Sequence, residues 1–249
     1  KGEGKSPNKH NLFFIEGGPL EDSVYQAIKK MEIREGRKKK KNQELWNKLS
    51  ELGVSNDEAR QYRDIYKDCV FLDKTRGEVY IGEVIEMIMD GVEQVIDAGV
   101  LAREPCAKMK ISLIDLRLHE DAIHRGPAQV YPAVRDSMRA SINTAAPVLL
   151  EPVQTLLVDG PLSFMGEITK LLQSKRGQIL DIRQTSGHVD IQTKLPVAEM
   201  IGLASDLRSA TEGRGNFSMI DQSFERVPPN LQQEVIRNIR DRKGLAENE

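Results

Sequence analysis

From Val148 onward the order of apolar runs leaves very few folds open. A strand, "VQTLLVDG", precedes a helix, "PLSFMGEITKLLQSKRG", in which Leu162, Met165, Ile168, Leu171 and Leu172 share one stripe. Two strands follow, "QILDIRQT" and "VDIQTKLP", joined by a turn at Ser186-Gly187-His188. A second helix, "VAEMIGLASDLRSAT", and a closing strand, "GNFSMIDQSFERVP", complete the set. The switch between strand and helix periodicity gives β-α-β-β-α-β, a ferredoxin-like sandwich. The last segment, "NLQQEVIRNIRDRKGL", spaces Leu231, Val235 and Ile239 by four, and such an amphipathic helix needs an existing surface to cover its apolar face.

The earlier residues read as a separate α/β layer. "KHNLFFIEGG" is a strand ending at Gly17-Gly18, and "PLEDSVYQAIKK" is a helix with acids in its first turn and lysines in its last. Glu35–Asn42, with its "RKKKK" run, is expected to be a solvated loop. "NQELWNKLSELG" and "SNDEARQYRDIY" read as short helices, the second capped by Ser55. "GEVIEMIMDGVEQVIDAG" is helical by its apolar spacing, "AKMKISLIDLRLH" is a long strand, and "YPAVRDSMRASINTAA" is a helix with Val134, Met138 and Ile142 on one face. Pro147 and Pro152 bracket the boundary. The class is therefore α+β with two α/β-layer domains, and Phe13, Phe14, Trp46 and Tyr131 are assigned to packing.

Bulk properties exclude several functions. A formal charge of −2 leaves any nucleic-acid contact to local basic patches. The two cysteines, Cys69 and Cys106, have neither CxxC spacing nor a disulfide framework, which points to a reducing compartment. No apolar run approaches the roughly 18 residues of a membrane helix. "KGEGKSPNKH" lacks the apolar core of a signal peptide. Beginning without Met and in mid-pattern, the chain reads as a piece of something longer.

The chemistry-bearing motifs are fewer than they first seem. Gly4-Lys5-Ser6 matches the end of a phosphate-binding loop, but the upstream glycine and strand are missing and Pro7 follows at once, so "GEGKSP" reads as a charged linker. In "LHEDAIHRGPAQ" (Leu118–Gln129), His119 and His124 are five apart rather than the four that puts two imidazoles on one helical face, and no third ligand follows. A zinc-dependent hydrolase centred on His119, Glu120 and His124 is thus a weak alternative. No GxSxG elbow supports a Ser-His-Asp triad either. What remains is a turn after a strand: Asp121 caps local donors, Gly126 is expected to take a positive φ, and Pro127 fixes the exit. His10 and His188 make no case for function by themselves.

That loop resembles the diphthamide loop of the elongation factor 2 family. Its flanks agree: "EGKSPNKHN", "PLED" and "EPCAKMKISLIDLRLHEDAIHRGPAQVYPAVR" in the first domain, then "EPVQTLLVDGP", "KRGQIL", "LPVAEMIGLASDLRSATEGRGNFSM" and "RKGL". "HRGPAQ" resembles the archaeal wording. Gly17-Gly18 and the very basic "RKKKK" depart from the pattern. The resemblance implies that residues 1–146 form a domain IV like the second domain of ribosomal protein S5, and that 147–228 form a ferredoxin-like domain V. It also implies that 229–249 carry a helix packing back on the first domain. It implies that His124 is the histidine converted to diphthamide, that His119, Asp121 and Ile123 shape recognition by the modifying enzymes, and that Arg125 and Gly126 complete the tip. Lys108, Lys110 and Arg117, on the strand feeding the loop, are candidate RNA contacts beside Arg125. The implied function is ribosomal translocation of tRNA and mRNA by a cytoplasmic monomer. Its partners are rRNA, stalk-base proteins, diphthamide-synthesis enzymes and ADP-ribosylating toxins, and no membrane. No catalytic residue, metal or cofactor is expected in this chain, GTP and magnesium belonging to a GTPase domain elsewhere in the parent. A stand-alone RNA-binding scaffold is the alternative.

Overall fold

The computed structural model describes residues 1–39, 41–75 and 80–245, which fall into two units. The first comprises Lys1–Pro147 with the chain from Ile236 onward, and the second comprises Val148–Val235.

In the first unit the chain runs β1 (Gly2–Lys5), β2 (Leu12–Pro19), α1 (Asp22–Lys29), β3 (Gly36–Arg37), α2 (Gln43–Glu51), α3 (Asn56–Ala59), β4 (Tyr62–Tyr66), β5 (Cys69–Asp73), α4 (Ile81–Asp97), β6 (Met109–Arg117) and α5 (Pro127–Thr144). The sheet order is β1-β2-β6-β5-β4-β3, and β5 and β6 pair in parallel, joined through α4. β5 shows why the sheet is covered on both faces. Cys69 and Phe71 point into a core with Val84, Ile88, Val92, Val134 and Met138 of α4 and α5, whereas Val70 and Leu72 point into a second core with Val24, Ile28 and Leu49 of α1 and α2.

Several elements differ from the sequence reading, which assigned neither β3 nor β5. "GEGKSP" is not a linker: its first residues are the edge strand β1, which slides directly beneath α5. A Cβ on Gly4 would lie 1.8 Å from the Ala133 carbonyl oxygen, and one on Gly2 would lie 2.0 Å from that of Ser137. Ser137, fully buried, accepts a hydrogen bond from the Ile15 N–H at 3.0 Å, where the register of β2 against β6 shifts. "SNDEARQYRDIY" is helical only at Asn56–Ala59, and Tyr62–Tyr66 is strand β4, because tertiary pairing with β5 offers its Tyr and Ile residues a buried pleated surface. Ser55 does cap α3.

The basic run also behaves differently at its first residue. Arg37 pairs inward with Asp64 at 3.2 Å, Asp90 at 2.6 Å and Glu93 at 2.9 Å, while Lys40 lies outside the described residues. Desolvation, and then the hydrogen bond shared with Asp64, push the Glu93 carboxyl up to about 7 against the opposing pull of Arg37. The folded state therefore holds a proton more tightly than the unfolded chain, so this contribution is complete below the ordinary carboxylate value and is lost as pH rises through about 7. Urea unfolding followed by the single tryptophan, Trp46, should show this unit losing stability on the order of 1 kcal/mol between pH 5.5 and 8, all of which Glu93→Gln should remove. A pH dependence unchanged in Glu93→Gln would refute the assignment.

The second unit contains β7 (Leu150–Pro161), α6 (Met165–Ser174), β8 (Gln178–Thr185), β9 (His188–Pro196), α7 (Leu203–Ala210) and β10 (Asn216–Arg226), with sheet order β10-β7-β9-β8. This is the split β-α-β-β-α-β arrangement. Leu156, Val158, Val189, Ile191 and Leu195 of the sheet pack on Ile168, Leu172, Leu203 and Leu207 of the helices. The β8–β9 hairpin turns on Ser186 and Gly187, both at positive φ, which suits the twist of a two-residue connection. The last helix, α8 (Pro229–Lys243), contributes to this unit through Gln232, whose Oε1 accepts from the Leu149 N–H at 3.0 Å. From Ile236 it belongs to the first unit, where Lys243 Nζ donates to the carbonyls of Ala102 at 3.1 Å and Arg103 at 2.9 Å.

Both cysteines are free, and burial pushes the Cys69 thiol up to about 12 and that of Cys106 up to about 11. Among the described residues no helix is long and apolar enough to cross a membrane.

Candidate functional site

The end of β6 and the start of α5 hold the histidine-rich loop, and its shape follows from local chemistry. Asp121 accepts from the Ile123 N–H at 3.1 Å and caps a single 3-10 turn, Ala122–Arg125. His119 Nδ1 accepts from the Asp121 N–H at 3.0 Å. Gly126 does not take the positive φ expected of it. It is extended at φ −71°, ψ 168°, because the proline that follows excludes the helical region for its predecessor, and it starts α5 with Pro127 in the first turn.

A second loop completes the site, the β1–β2 hairpin. The Lys9 N–H donates to the Ser6 carbonyl at 2.7 Å with Pro7 and Asn8 between them, a tight turn with proline in its favoured second place. Lys9 then sits at φ 63°, and the chain returns through His10 and Asn11. This turn carries His10 to within 4.8 Å of His119 and 4.7 Å of His124, ring centre to ring centre. His119 and His124 are 4.4 Å apart, edge to face at 77°. Three imidazoles from two distant loops thus form one cluster. His10 is exposed, and His119 and His124 are half-buried.

Beside this cluster Ile123 is 78% exposed, a large apolar side chain held in solvent at the apex of the 3-10 turn. Asp121 is exposed as well. Among the described residues no group of three or more His, Cys, Asp or Glu side chains is arranged to hold a metal ion.

Arg125 corrects the expectation of a basic tip. It is 5% exposed, and its Nη1 donates to the carbonyls of His119 at 2.5 Å and Glu120 at 2.7 Å. Its Nη2 pairs with Glu83 at 2.5 Å, and the guanidinium lies 4.1 Å from the centre of the Tyr80 ring. The charge is spent on tying the loop to α4, because folding leaves two loop carbonyls that need a donor. Lys110 is likewise engaged: burial lowers its pKa, but hydrogen bonds to Glu21 and Glu58 outweigh that and hold it raised. Lys108 lies 4.1 Å over the Tyr25 ring and 3.6 Å from Asp22, still half-exposed, and Arg117 is exposed. Of the basic residues expected to meet RNA, Arg117 and Lys108 therefore offer their charge outward, and Lys110 and Arg125 do not.

The sequence reading missed His10, Asn8, Asn11, Gln129, Glu83 and Tyr80, all of which touch or support the loop. Gln129 Oε1 accepts from the Asn8 N–H at 2.9 Å across 121 positions, a separation that no local spacing rule can reveal. His188 is the first residue of β9 and belongs to the second unit.

Comparison with known proteins now bears on this geometry. Residues 27–146 match the family model described as Elongation factor G, domain IV, and residues 148–235 match Elongation factor G C-terminus. Archaeal proteins named Elongation factor 2 are similar throughout: that of Nanoarchaeum equitans is 47% identical over 247 residues, covering 98% of this chain and 33% of the relative. Those of Methanosphaera stadtmanae and Pyrococcus furiosus are each 46% identical, over 98% and 99% of this chain and 33% and 34% of their own lengths. The chain therefore spans about a third of the relatives it matches. With both of its units matched in order and the histidine-rich loop inside the first match, the chain belongs to the elongation factor 2 family, of which it represents domain IV and the C-terminal domain.

Proposed function

We propose that this chain is the ribosome-engaging C-terminal part of a translocase of the elongation factor 2 type, with the loop His119–Gly126 as its tip and His124 as the residue converted to diphthamide. The observation that carries the reading is the build of the loop: an exposed apex of Asp121 and Ile123 beside His124, mounted on a rigid sheet-and-helix layer. Loops on rigid scaffolds are where recognition concentrates. An acceptor imidazole needs access for a modifying enzyme, and the modified group, a bulky cationic extension on the carbon between the two nitrogens, needs room beyond the loop. His119, Asp121 and Ile123 are the residues an enzyme or a toxin would read around it. Arg117 and Lys108 are the outward cations for RNA phosphates.

The mechanism in this reading is steric and electrostatic. The tip enters the decoding centre as tRNA and mRNA move and blocks their return, and the second unit faces the stalk base of the large subunit. GTP hydrolysis, with its magnesium, is assigned to the remaining two-thirds of the parent. No step of chemistry is assigned to this chain, which works in the cytoplasm.

The test is the mass of the His124 peptide from protein purified from its native organism. A gain matching diphthamide on that peptide is the expected result. An unmodified His124 in protein from growing cells would sink the assignment and leave ribosome binding to support the rest alone.

A further inference from the structure

We infer that Asn11 is the positioning residue of the histidine cluster, fixing where the His119 and His124 rings stand from a hairpin turn more than a hundred positions away. The inference rests on reading His124 as the functional residue. Asn11 is fully buried, and every polar atom of its amide is used. Its Nδ2 donates to the His124 carbonyl at 2.8 Å and to Ser6 Oγ at 3.2 Å, and its Oδ1 accepts from the His119 N–H at 3.1 Å. One side chain thus holds both histidine backbones at once, His119 through an acceptor and His124 through a donor. A carboxamide supplies both functions in a single planar group whatever the pH.

The amide is itself held. Ser6, 2% exposed, accepts from the Asn11 backbone N–H at 2.9 Å, and the Ser6 N–H donates to the Asn11 carbonyl at 2.9 Å. Asn8 adds a second, longer bond to the His124 carbonyl at 3.3 Å, and the Asn8 side chain is anchored by the Ser6 hydroxyl at 2.6 Å. The same hairpin carries His10 into the ring cluster. The β1–β2 turn is therefore a clamp, and Asn11 is the member that touches both ends of the loop. From the opposite side Arg125 holds the carbonyls of His119 and Glu120, so the loop backbone is fixed between two polar anchors.

The test uses the full 249-residue chain as parent, with Asn11→Ala and Asn11→Asp. Amide hydrogen exchange and the imidazole proton and nitrogen resonances of His10, His119 and His124 are measured beside the urea midpoint. Asn11→Ala should speed exchange at His119 and through residues 121–125 about tenfold more than elsewhere in the unit, and should move the ring resonances of all three histidines towards one another. Asn11→Asp, measured at a pH above the titration of the new carboxyl, keeps an acceptor for the His119 N–H but sets a carboxylate against the His124 carbonyl. Exchange at His119 should then stay close to that of the parent while the His124 resonances still move, a split that loss of general stability would not produce. Should Asn11→Ala fail to fold, Asn8→Ala, which removes the longer bond to the His124 carbonyl together with the acceptor for the Ser6 hydroxyl and the His10 N–H, should shift His124 and His10 and spare His119.

Unchanged exchange and ring resonances in the Asn11 variants, or changes spread evenly over the whole unit, would overturn the inference. Modification of His124 is scored separately on the same proteins. A parent that is never modified sinks the functional reading, while the exchange and resonance data still decide the role of Asn11.

Discussion

Valine at Gly4 should abolish the native first unit, lowering its stability by more than about 4 kcal/mol, against the 5–15 kcal/mol total of an ordinary domain. The cause is backbone meeting backbone. A Cβ at Gly4 would stand 1.8 Å from the Ala133 carbonyl oxygen and 2.7 Å from the Ser137 nitrogen, and neither atom belongs to a side chain that can swing aside. Relief requires α5 to lift off β1 and β2, which exposes Ala133, Val134 and Met138 and breaks the Ser137 bonds to the strands. Gly18→Ala is the matched control, since a Cβ there meets nothing within 4 Å and should change stability by no more than about 0.5 kcal/mol. Urea unfolding read by Trp46 compares the two. A Gly4→Val protein that unfolds at the parental midpoint would mean that β1 does not lie beneath α5.

Loss of Arg125 should be the next largest effect, about 2–4 kcal/mol for Arg125→Ala. The substitution strands the carbonyls of His119 and Glu120 without donors, strips Glu83 of its partner and uncovers the Tyr80 face. Part of that cost is offset because the parental guanidinium already leaves Nε buried without a hydrogen-bond partner. Arg125→Met keeps an apolar stem against Tyr80 and should lose roughly half as much. The loop should also become a protease site, with new cleavage within residues 118–126 in both variants. If Arg125→Ala stays within about 0.5 kcal/mol of the parent and the loop resists cleavage, the arginine is not the inner anchor described above.

The larger elements were legible because their periodicity and their burial come from the same residues. The stripe that predicts α6 includes Ile168 and Leu172, which become its buried face, and the second unit is ferredoxin-like for the same reason. β1 was not legible. Two glycines in a charged tetrapeptide carry no strand signal, and the strand exists because α5 offers a surface only glycine can approach. β4 was masked by a helix-like start at Ser55, and its strand character is conferred by pairing with β5. At the site, the loop itself was legible from its unusual density of histidine and acid, and Asp121 behaves as a cap. The direction of Arg125 was not, since an arginine beside a turn is ordinarily solvated. Here the carbonyls of the preceding residues face inward and draw it with them. His10 and Asn11 were invisible because their partners lie more than a hundred positions on, in a loop the chain reaches only after β6.

That distance fixes an order of events. When the β1–β2 hairpin emerges in synthesis, the loop it must clamp has not yet been made, and when the loop appears it has no shape until β6 has settled beside β2. A short synthetic peptide spanning Leu118–Gln129 would display the same side chains in the wrong places. Any enzyme, toxin or ribosome that reads this surface must therefore read a finished domain. The histidine cluster in this way certifies that the hairpin, β6 and the start of α5 have all assembled before anything acts on it.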